Sequence, residues 1–161
     1  MMFVGEQPGD IEDQRGFPFV GPAGRLLVQA VEEAGIDKTS VYVTNAVKHF
    51  RFEVGSSGRR IHKTPDVEHM RACRPWLVAE IRALKPEIIV LLGATAGKTL
   101  LGSEFRVTRE RGILRDGPPG SGTRLLATLH PSAILRTPPE ERDAAYAGLV
   151  ADLRTAHAGL G

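Results

Sequence analysis

The sequence predicts an α/β fold built on a mainly parallel central sheet. Apolar runs over residues 1–4, 41–44, 88–92 and 125–129 have the length of short buried strands, and each runs straight into a polar, turn-forming cluster. Helix-forming segments lie between these runs. Because alternation of strands and helices is typical of parallel sheets, we expect layers of helix packed on the sheet.

The overall composition is that of a single folded domain. The chain has 161 residues, 42% of them hydrophobic, which predicts one domain over residues 1–161 with a sizeable core. No apolar run approaches the ~20 residues that span a bilayer. Cys73 is the one cysteine, which excludes an internal disulfide and fits a reducing, cytoplasmic location. The first predicted strand begins at residue 1, with no residues before it. We therefore expect that an N-terminal segment is missing.

Three of the predicted helices follow from apolar periodicity. Residues 25–34 keep an apolar face, and Gly35 marks the end of that helix. Two more helices are predicted over residues 94–101 and 140–156, and residues 117–122 are expected to form a loop before the last strand.

A fourth helix is expected after a long loop. Residues 51–63 are predicted to be that loop, with a mobile tip at 55–58. The helix should begin at Thr64, with Pro65 in its first turn. Pro75 interrupts its period, so we expect a kink or a break there.

Polar side chains follow three of the predicted strands and indicate a site. Glu6 and Gln7 follow the first strand, Asn45 follows the second, and His130 follows the last. In open parallel sheets, ligands bind in the crevice beyond the carboxyl ends of the strands. We therefore expect a carboxylate, two amides and an imidazole to converge, a set suited to recognising a polar ring and breaking a bond to it.

One stretch is basic although the net charge is only +2. It contains five cations: Lys48, Arg51, Arg59, Arg60 and Lys63. Such a patch suits phosphate contacts, or it is simply a solvated loop. His62 lies within it, and the neighbouring positive charges disfavour a protonated ring. This imidazole is either a neutral nucleophile or a hydrogen-bonding group in a phosphate-binding loop.

Phe19 and Cys73 can each be interpreted as structural or as functional residues. Phe19 lies in a glycine- and proline-rich loop, where it is either a hydrophobic plug or a stacking platform for a flat ring. Cys73 on a helix face is most simply a small core residue.

Taken together, these segments resemble the uracil-DNA glycosylase superfamily, and the family-four, iron–sulfur branch most closely. The resemblance covers nearly the whole chain. Its motifs are Gly-Glu-Gln-Pro-Gly at 5–9, Phe-Val-Gly-Pro-Ala-Gly at 19–24, Val-Thr-Asn at 43–45 and His-Pro-Ser at 130–132. The loop Arg-Arg-Ile-His-Lys-Thr-Pro at 59–65 resembles that of the UdgX group, whose members excise uracil and stay covalently attached to the DNA.

The resemblance implies a three-layer α/β/α sandwich and a role for each site residue. Glu6, His62 and His130 would be catalytic, with His62 forming the adduct. Uracil or DNA would be bound by Gly5, Gln7, Phe19, Asn45, Arg59, Arg60, Lys63 and Ser132. The partners implied are uracil and uracil-containing DNA, preferably single-stranded, and the protein is expected to be a monomer that does not bind membranes.

The resemblance also implies a [4Fe–4S] cluster in the full-length protein. Cys73 matches one ligand position of the branch, and His49 falls where a second ligand is usual. The two other ligands would be cysteines before the first strand, and this chain has none there. Since iron–sulfur sites generally need four ligands, the chain is expected to hold half a site.

Two rival functions stay open. One is a uracil-DNA glycosylase that turns over without covalent trapping. The other is a non-catalytic nucleic-acid-binding domain that uses the same basic loop. A generic phosphate-binding enzyme is disfavoured, because neither a Walker-type loop nor a Rossmann glycine fingerprint is present.

Overall fold

The computed structural model describes residues 1–161 and confirms the α/β prediction. The strands are β1 (Met2–Gly5), β2 (Tyr42–Asn45), β3 (Phe52–Val54), β4 (Arg60–His62), β5 (Ile88–Leu92), β6 (Leu114–Asp116) and β7 (Arg124–Thr128). Five of them form the central sheet, in the order β2-β1-β5-β7-β6. All pairs in it are parallel except β6 with β7. The carboxyl ends of β1, β2, β5 and β7 therefore meet at one edge.

Seven helices accompany the strands. They are α1 (Asp10–Arg15), α2 (Pro22–Glu33), α3 (Val67–Leu84), α4 (Gly93–Leu101), α5 (Val107–Glu110), α6 (Pro131–Arg136) and α7 (Pro139–Ala158). Helices α2, α6 and α7 pack together on one face of the sheet, and α3, α4 and α5 contact one another or the strands on the other face. None of these helices is long and apolar enough to cross a bilayer.

Two apolar clusters hold the layers together. One contains Phe3, Leu126 and Leu153 with the α2 face, and the other contains Leu77 and Leu91 with the α3 and α4 face. Successive side chains of a strand point to opposite faces, so a strand covered on both faces must be apolar throughout. This is why β5 is buried along its whole length.

The predicted helices are present, with small shifts of their ends. Helix α2 begins earlier than the expected residue 25, because Pro22 occupies its first turn, where a missing N–H is harmless. Gly35 follows this helix at φ +78°, in the left-handed region that suits glycine. No sequence pattern predicted α1, α5 and α6, because each has at most six residues.

The structure differs from the predictions in where α3 begins and in the absence of a break at Pro75. The helix begins after Asp66, whose side chain accepts hydrogen bonds from the Glu68 and His69 N–H groups, so Thr64 and Pro65 precede it. Pro75 lies inside α3 without ending it. Pro75 is exposed, and so is Arg71, so the carbonyl that loses its partner can bond to water instead.

The predicted loop 51–63 is an antiparallel hairpin. Strands β3 and β4 pair with Phe52 opposite His62, and the tip falls at residues 55–58 as expected. Every residue of β3 is exposed, and β4 is exposed except for Arg60. The hairpin is separate from the central sheet, and it carries His62 on its second strand.

Candidate active site

A cavity of about 740 Å³ opens at the carboxyl ends of the parallel strands. Residues from four strand ends, the Phe19 loop and the hairpin line it. The sequence-predicted residues among them are Glu6, Gln7, Phe19, Asn45, His62, His130 and Ser132. The expected convergence is therefore present, because the parallel sheet brings distant strand ends to one edge.

Glu6 and His62 form the closest pair of titratable groups in the cavity. His62 Nε2 lies 3.2 Å from Glu6 Oε1, and no other carboxylate lies within 4 Å of that ring. The other Glu6 oxygen, Oε2, accepts a hydrogen bond from Thr95 Oγ1 at 2.5 Å. The Glu6 side chain is 24% exposed and that of His62 is 49% exposed. The Glu6 carboxylate, which Thr95 holds in place, thus faces an imidazole that is more exposed to solvent.

His130 is held as a neutral donor that faces the cavity. Its Nδ1 accepts a hydrogen bond from the Ser132 backbone N–H at 3.1 Å, so the ring proton sits on Nε2. The Ser132 hydroxyl lies 2.8 Å from the same Nδ1. Desolvation lowers the pKa of His130 to about 4, with smaller contributions from the nearby Arg136 and His62 side chains. The imidazole is therefore uncharged at neutral pH and can donate one hydrogen bond from Nε2.

Phe19 and Asn45 form a flat, polar corner of the cavity. The Phe19 ring stacks with His130, the ring centroids being 5.8 Å apart, and its backbone takes φ +55°. Asn45 is buried and its side-chain amide makes no hydrogen bond within the chain. Gly5 lies beneath both: a Cβ there would come within 2.5 Å of Asn45 Oδ1 and 2.7 Å of the Phe19 ring. This corner therefore requires glycine at position 5.

The Gln7 side chain lines the cavity and is already hydrogen-bonded within the chain. Its Nε2 donates to the carbonyls of Arg51 and Lys63 at 3.2 and 3.1 Å, and its Oε1 accepts from the Arg51 N–H at 3.0 Å. All three bonds go to the base of the hairpin. Gln7 therefore attaches the hairpin to the carboxyl end of β1. Of the two side-chain amides expected to contact a ligand, this one is already hydrogen-bonded within the chain.

Most of the basic stretch is paired with acids, which the count of local charge did not show. Lys48 pairs with Glu80, Arg51 with Asp66, Arg60 with Asp10 and Asp13, and Lys63 with Glu53. These acids lie far away in sequence or across the hairpin, so a local count of charge overlooks them. Arg59 alone in this stretch is exposed and has no acidic partner.

The same pairings change the expected surroundings of His62. The sequence suggested that flanking cations keep its ring uncharged, yet Arg60 and Lys63 turn toward carboxylates. Arg60 also lies over the rings of Phe50 and Phe52, at 5.3 and 4.9 Å from their centroids. The charged group next to the imidazole is Glu6, an anion. The argument from flanking cations thus left out the acids that pair with them.

The two candidate cluster ligands do not form a metal site by themselves. Cys73 is buried and its Sγ accepts a hydrogen bond from the Lys48 N–H at 3.3 Å, whereas His49 is exposed. No group of three or more histidine, cysteine or acidic side chains that could hold a metal is present. The residues of this chain do not fit a four-ligand cluster, so no chemical step is assigned to one.

Sequence reasoning missed three residues of the site. Thr95 contacts Glu6 directly, and Arg136 lines the cavity beside His130. Glu12 holds the Phe19 loop, because its Oε1 accepts from the Gly21 N–H at 2.8 Å. Thr95 follows the β5 strand end and could have been found by the same rule that located Asn45 and His130. Nothing local marks Glu12 or Arg136.

The fold and the cavity place the molecule among α/β proteins with a polar site at the ends of parallel strands. The family model described as "Uracil DNA glycosylase superfamily" matches residues 1–154. The chain belongs to the uracil-DNA glycosylase superfamily.

Individual relatives agree with this assignment. The chain is 39% identical over 137 residues to a "Type-4 uracil-DNA glycosylase" of Thermotoga maritima, which covers 84% of this chain and 66% of that protein. It is 36% identical over 143 residues to a protein of the same description from Pyrobaculum aerophilum, covering 86% and 69%. The chain thus spans about two thirds of the length of these relatives.

A solved structure supports the fold alone. The crystal structure of Pedobacter heparinus SMUG2 superposes with a TM-score of 0.59, covering 98% of this chain and 75% of that one, at 11% sequence identity. The relatives support the family-four branch, and none of these comparisons bears on the UdgX group in particular.

Proposed function

We propose that this chain excises uracil from DNA and becomes covalently joined to the product through His62. The observation that carries the proposal is the position of His62 Nε2, 3.2 Å from Glu6 Oε1, in a cavity that also holds Asn45 and His130. A nucleophile, a carboxylate and a neutral donor around one cavity are the groups that glycosidic bond cleavage with capture of the sugar would use. The relatives named Type-4 uracil-DNA glycosylase support the uracil part.

Base recognition falls to Phe19 and Asn45 in this proposal. Uracil stacks against Phe19, and the unengaged Asn45 amide offers it one donor and one acceptor. Cytosine presents the opposite donor and acceptor pattern and would leave buried polar groups unpaired, a strong basis for rejection. Gly5 leaves the room that the Asn45 amide and the Phe19 ring need in order to reach the base.

His130 assists departure of the base. As the bond between the sugar and uracil breaks, negative charge develops on the base oxygens. A neutral imidazole that already carries its proton on Nε2 donates to such an oxygen without reorganising. The low pKa of His130 makes it a hydrogen-bond donor rather than a source of a proton at neutral pH.

His62 competes with water for the cationic sugar carbon. A ring nitrogen needs a free electron pair to attack, and Glu6 is near enough to receive the proton of Nε2. Positioned groups reach effective molarities of about 10⁵ M or more, which favours the imidazole over solvent. The alkylated imidazole has no internal base to reverse the bond, so each molecule would act once.

The substrate and backbone contacts are also part of the proposal. Single-stranded DNA is the preferred form, because the base need not be unpaired and unstacked first. Arg59 is the cation of the hairpin free to contact a phosphate, while Arg60 and Lys63 act there mainly by shaping the hairpin. The [4Fe–4S] cluster that the family resemblance implies would take His49 and Cys73 as two of its ligands.

The test mixes the protein with a uracil-containing single-stranded oligonucleotide and follows it by denaturing electrophoresis and intact-mass spectrometry. We expect a heat-stable shifted band, and a mass equal to protein plus the oligonucleotide without uracil. Peptide mapping should place the added mass on His62.

The control variants separate the rival functions. His62→Ala should abolish the shifted band while free uracil is still released. Release of uracil and abasic product by the unmodified chain without any adduct would indicate a turnover glycosylase. Equal affinity for DNA with and without uracil, and no base release, would indicate a binding domain. Normal cross-linking by His62→Ala would assign the nucleophile to another residue.

A further inference from the structure

Thr95 is a buried hydroxyl that contacts the carboxylate of the proposed reaction. It lies in the first turn of α4, is 7% exposed, and donates from Oγ1 to Glu6 Oε2 at 2.5 Å. Glu6 Oε1 is the oxygen that faces His62, at 3.2 Å. The carboxylate is thus held between a hydroxyl on the rigid side of the cavity and an imidazole on the hairpin.

A glutamate carboxylate rotates readily about its last torsion. A short hydrogen bond to one oxygen restricts that rotation, and charge-assisted bonds are about twice as strong as neutral ones. Glu6 follows β1, and Thr95 follows β5, which is paired with β1. The bond therefore joins two adjacent strand ends, and it fixes the direction of Oε1 independently of the hairpin.

We propose that Thr95 is a positioning residue that decides how often His62, rather than water, captures the sugar. This inference rests on the proposed function. In the captured route the bond between sugar and uracil breaks with its electron pair leaving on uracil. A bond forms from His62 Nε2 to the sugar carbon, and the Nε2 proton passes to Glu6. In the water route Glu6 receives a proton from water, and a free abasic site results.

The experiment compares Thr95→Val with Thr95→Ser under single-turnover conditions on a uracil-containing single-stranded oligonucleotide. Valine keeps the shape of threonine and removes the donor, whereas serine keeps the donor. The readout is the ratio of adduct to free abasic product. We expect Thr95→Val to lower this ratio about tenfold, the size associated with loss of one hydrogen bond to a charged group. The half-saturating DNA concentration should not change, and Thr95→Ser should restore most of the ratio.

Thr99→Val is the matched control. Thr99 lies one turn further along α4, and its Oγ1 donates to the Thr95 carbonyl at 2.8 Å, so the variant removes a hydroxyl from the same helix without touching Glu6. We expect it to keep the unmodified ratio. Circular dichroism and thermal unfolding establish that all three variants are folded.

The outcomes distinguish failure of the role of Thr95 from failure of the proposed function. A folded Thr95→Val chain with the unmodified ratio, or a folded Thr95→Ser chain as poor as Thr95→Val, overturns the role of Thr95 and leaves the proposed function intact. An unmodified chain that forms no adduct rejects the covalent function, and the role of Thr95 in capture is rejected with it.

Discussion

The two sides of the cavity differ in how firmly they are built. On one side Glu6, Asn45 and His130 lie at the ends of strands of the central sheet, and hydrogen bonds from Thr95 and Ser132 hold Glu6 and His130. On the other side His62 is carried by a hairpin whose strands are three residues long and almost wholly exposed. This hairpin is attached to the domain chiefly through the Gln7 side chain and the Arg60 ion pairs with α1.

The difference shows how such a protein can divide its functions. Groups that recognise a base and stabilise charge must be preorganised, so they belong on the sheet. In the proposed reaction, His62 has to approach a sugar carbon that becomes accessible only as uracil leaves. A tethered hairpin allows that approach. If the two sides differ in this way, substitutions in the body of the domain should lower stability more than substitutions in the hairpin.

The largest effect on stability is expected from a glycine substitution in the body of the domain, compared with a glycine substitution in the hairpin. In Gly24→Ala the new Cβ would lie 1.7 Å from the Phe19 carbonyl oxygen, although alanine normally favours a helix. We expect a loss of unfolding free energy above about 3 kcal/mol, measured by urea unfolding. Gly58→Ala, at the hairpin tip with φ +75° and open space around it, should cost only about 1 to 2 kcal/mol. Equal losses would contradict the comparison.

The second prediction concerns acid sensitivity of the sheet side. The pKa of His130 is lowered from 6.5 to about 4, so between these values the folded chain binds fewer protons than the unfolded chain. The stability linked to this ring is complete above about pH 6.5 and is lost as the pH falls toward 4. The loss should reach about 1 to 3 kcal/mol.

Urea unfolding near neutral pH and at about pH 4.5 measures this loss. His130→Asn removes the titrating group, so the variant should show a smaller decrease than the unmodified chain. Identical decreases would mean that other groups account for the acid sensitivity.

A third effect on stability is expected at the attachment of the hairpin. Gln7→Ala removes three hydrogen bonds to the hairpin base, and we expect it to lower the unfolding free energy by about 2 kcal/mol. Adduct yield should fall more than uracil release, because His62 loses its position while the sheet side keeps its own. Gln14→Ala, which removes a single exposed contact to Asp10, is the control. A parallel fall in yield and release would contradict the separation of the sides.

Much of the sheet side could be predicted from sequence. The strands are apolar runs that any covered parallel sheet requires, and their carboxyl ends must lie at one edge. Glu6, Asn45 and His130 were therefore located by position alone. The structure adds the partners that local patterns do not contain, such as Thr95 for Glu6 and Ser132 for His130.

The hairpin side was harder to predict, for physical reasons. Strands of three exposed residues carry no apolar alternation, so β3 and β4 looked like a loop. The charges near them looked like a phosphate-binding patch because their acidic partners come from other elements. Arg60, for example, is 47 residues from Asp13, the acid that its Nη1 contacts at 2.7 Å. Such pairing depends on the tertiary fold.

The independence of the hairpin from the central sheet has a consequence for how this architecture can diversify. Its strands donate no hydrogen bond to the main sheet, and its tip at residues 55–58 projects from the body of the domain. Changes of length or of side chain at the tip therefore leave the hydrogen bonds of the five-stranded sheet in place. Under the proposed function, the residue that reacts with the sugar is thus carried by the part of the fold that shares no ladder with the sheet.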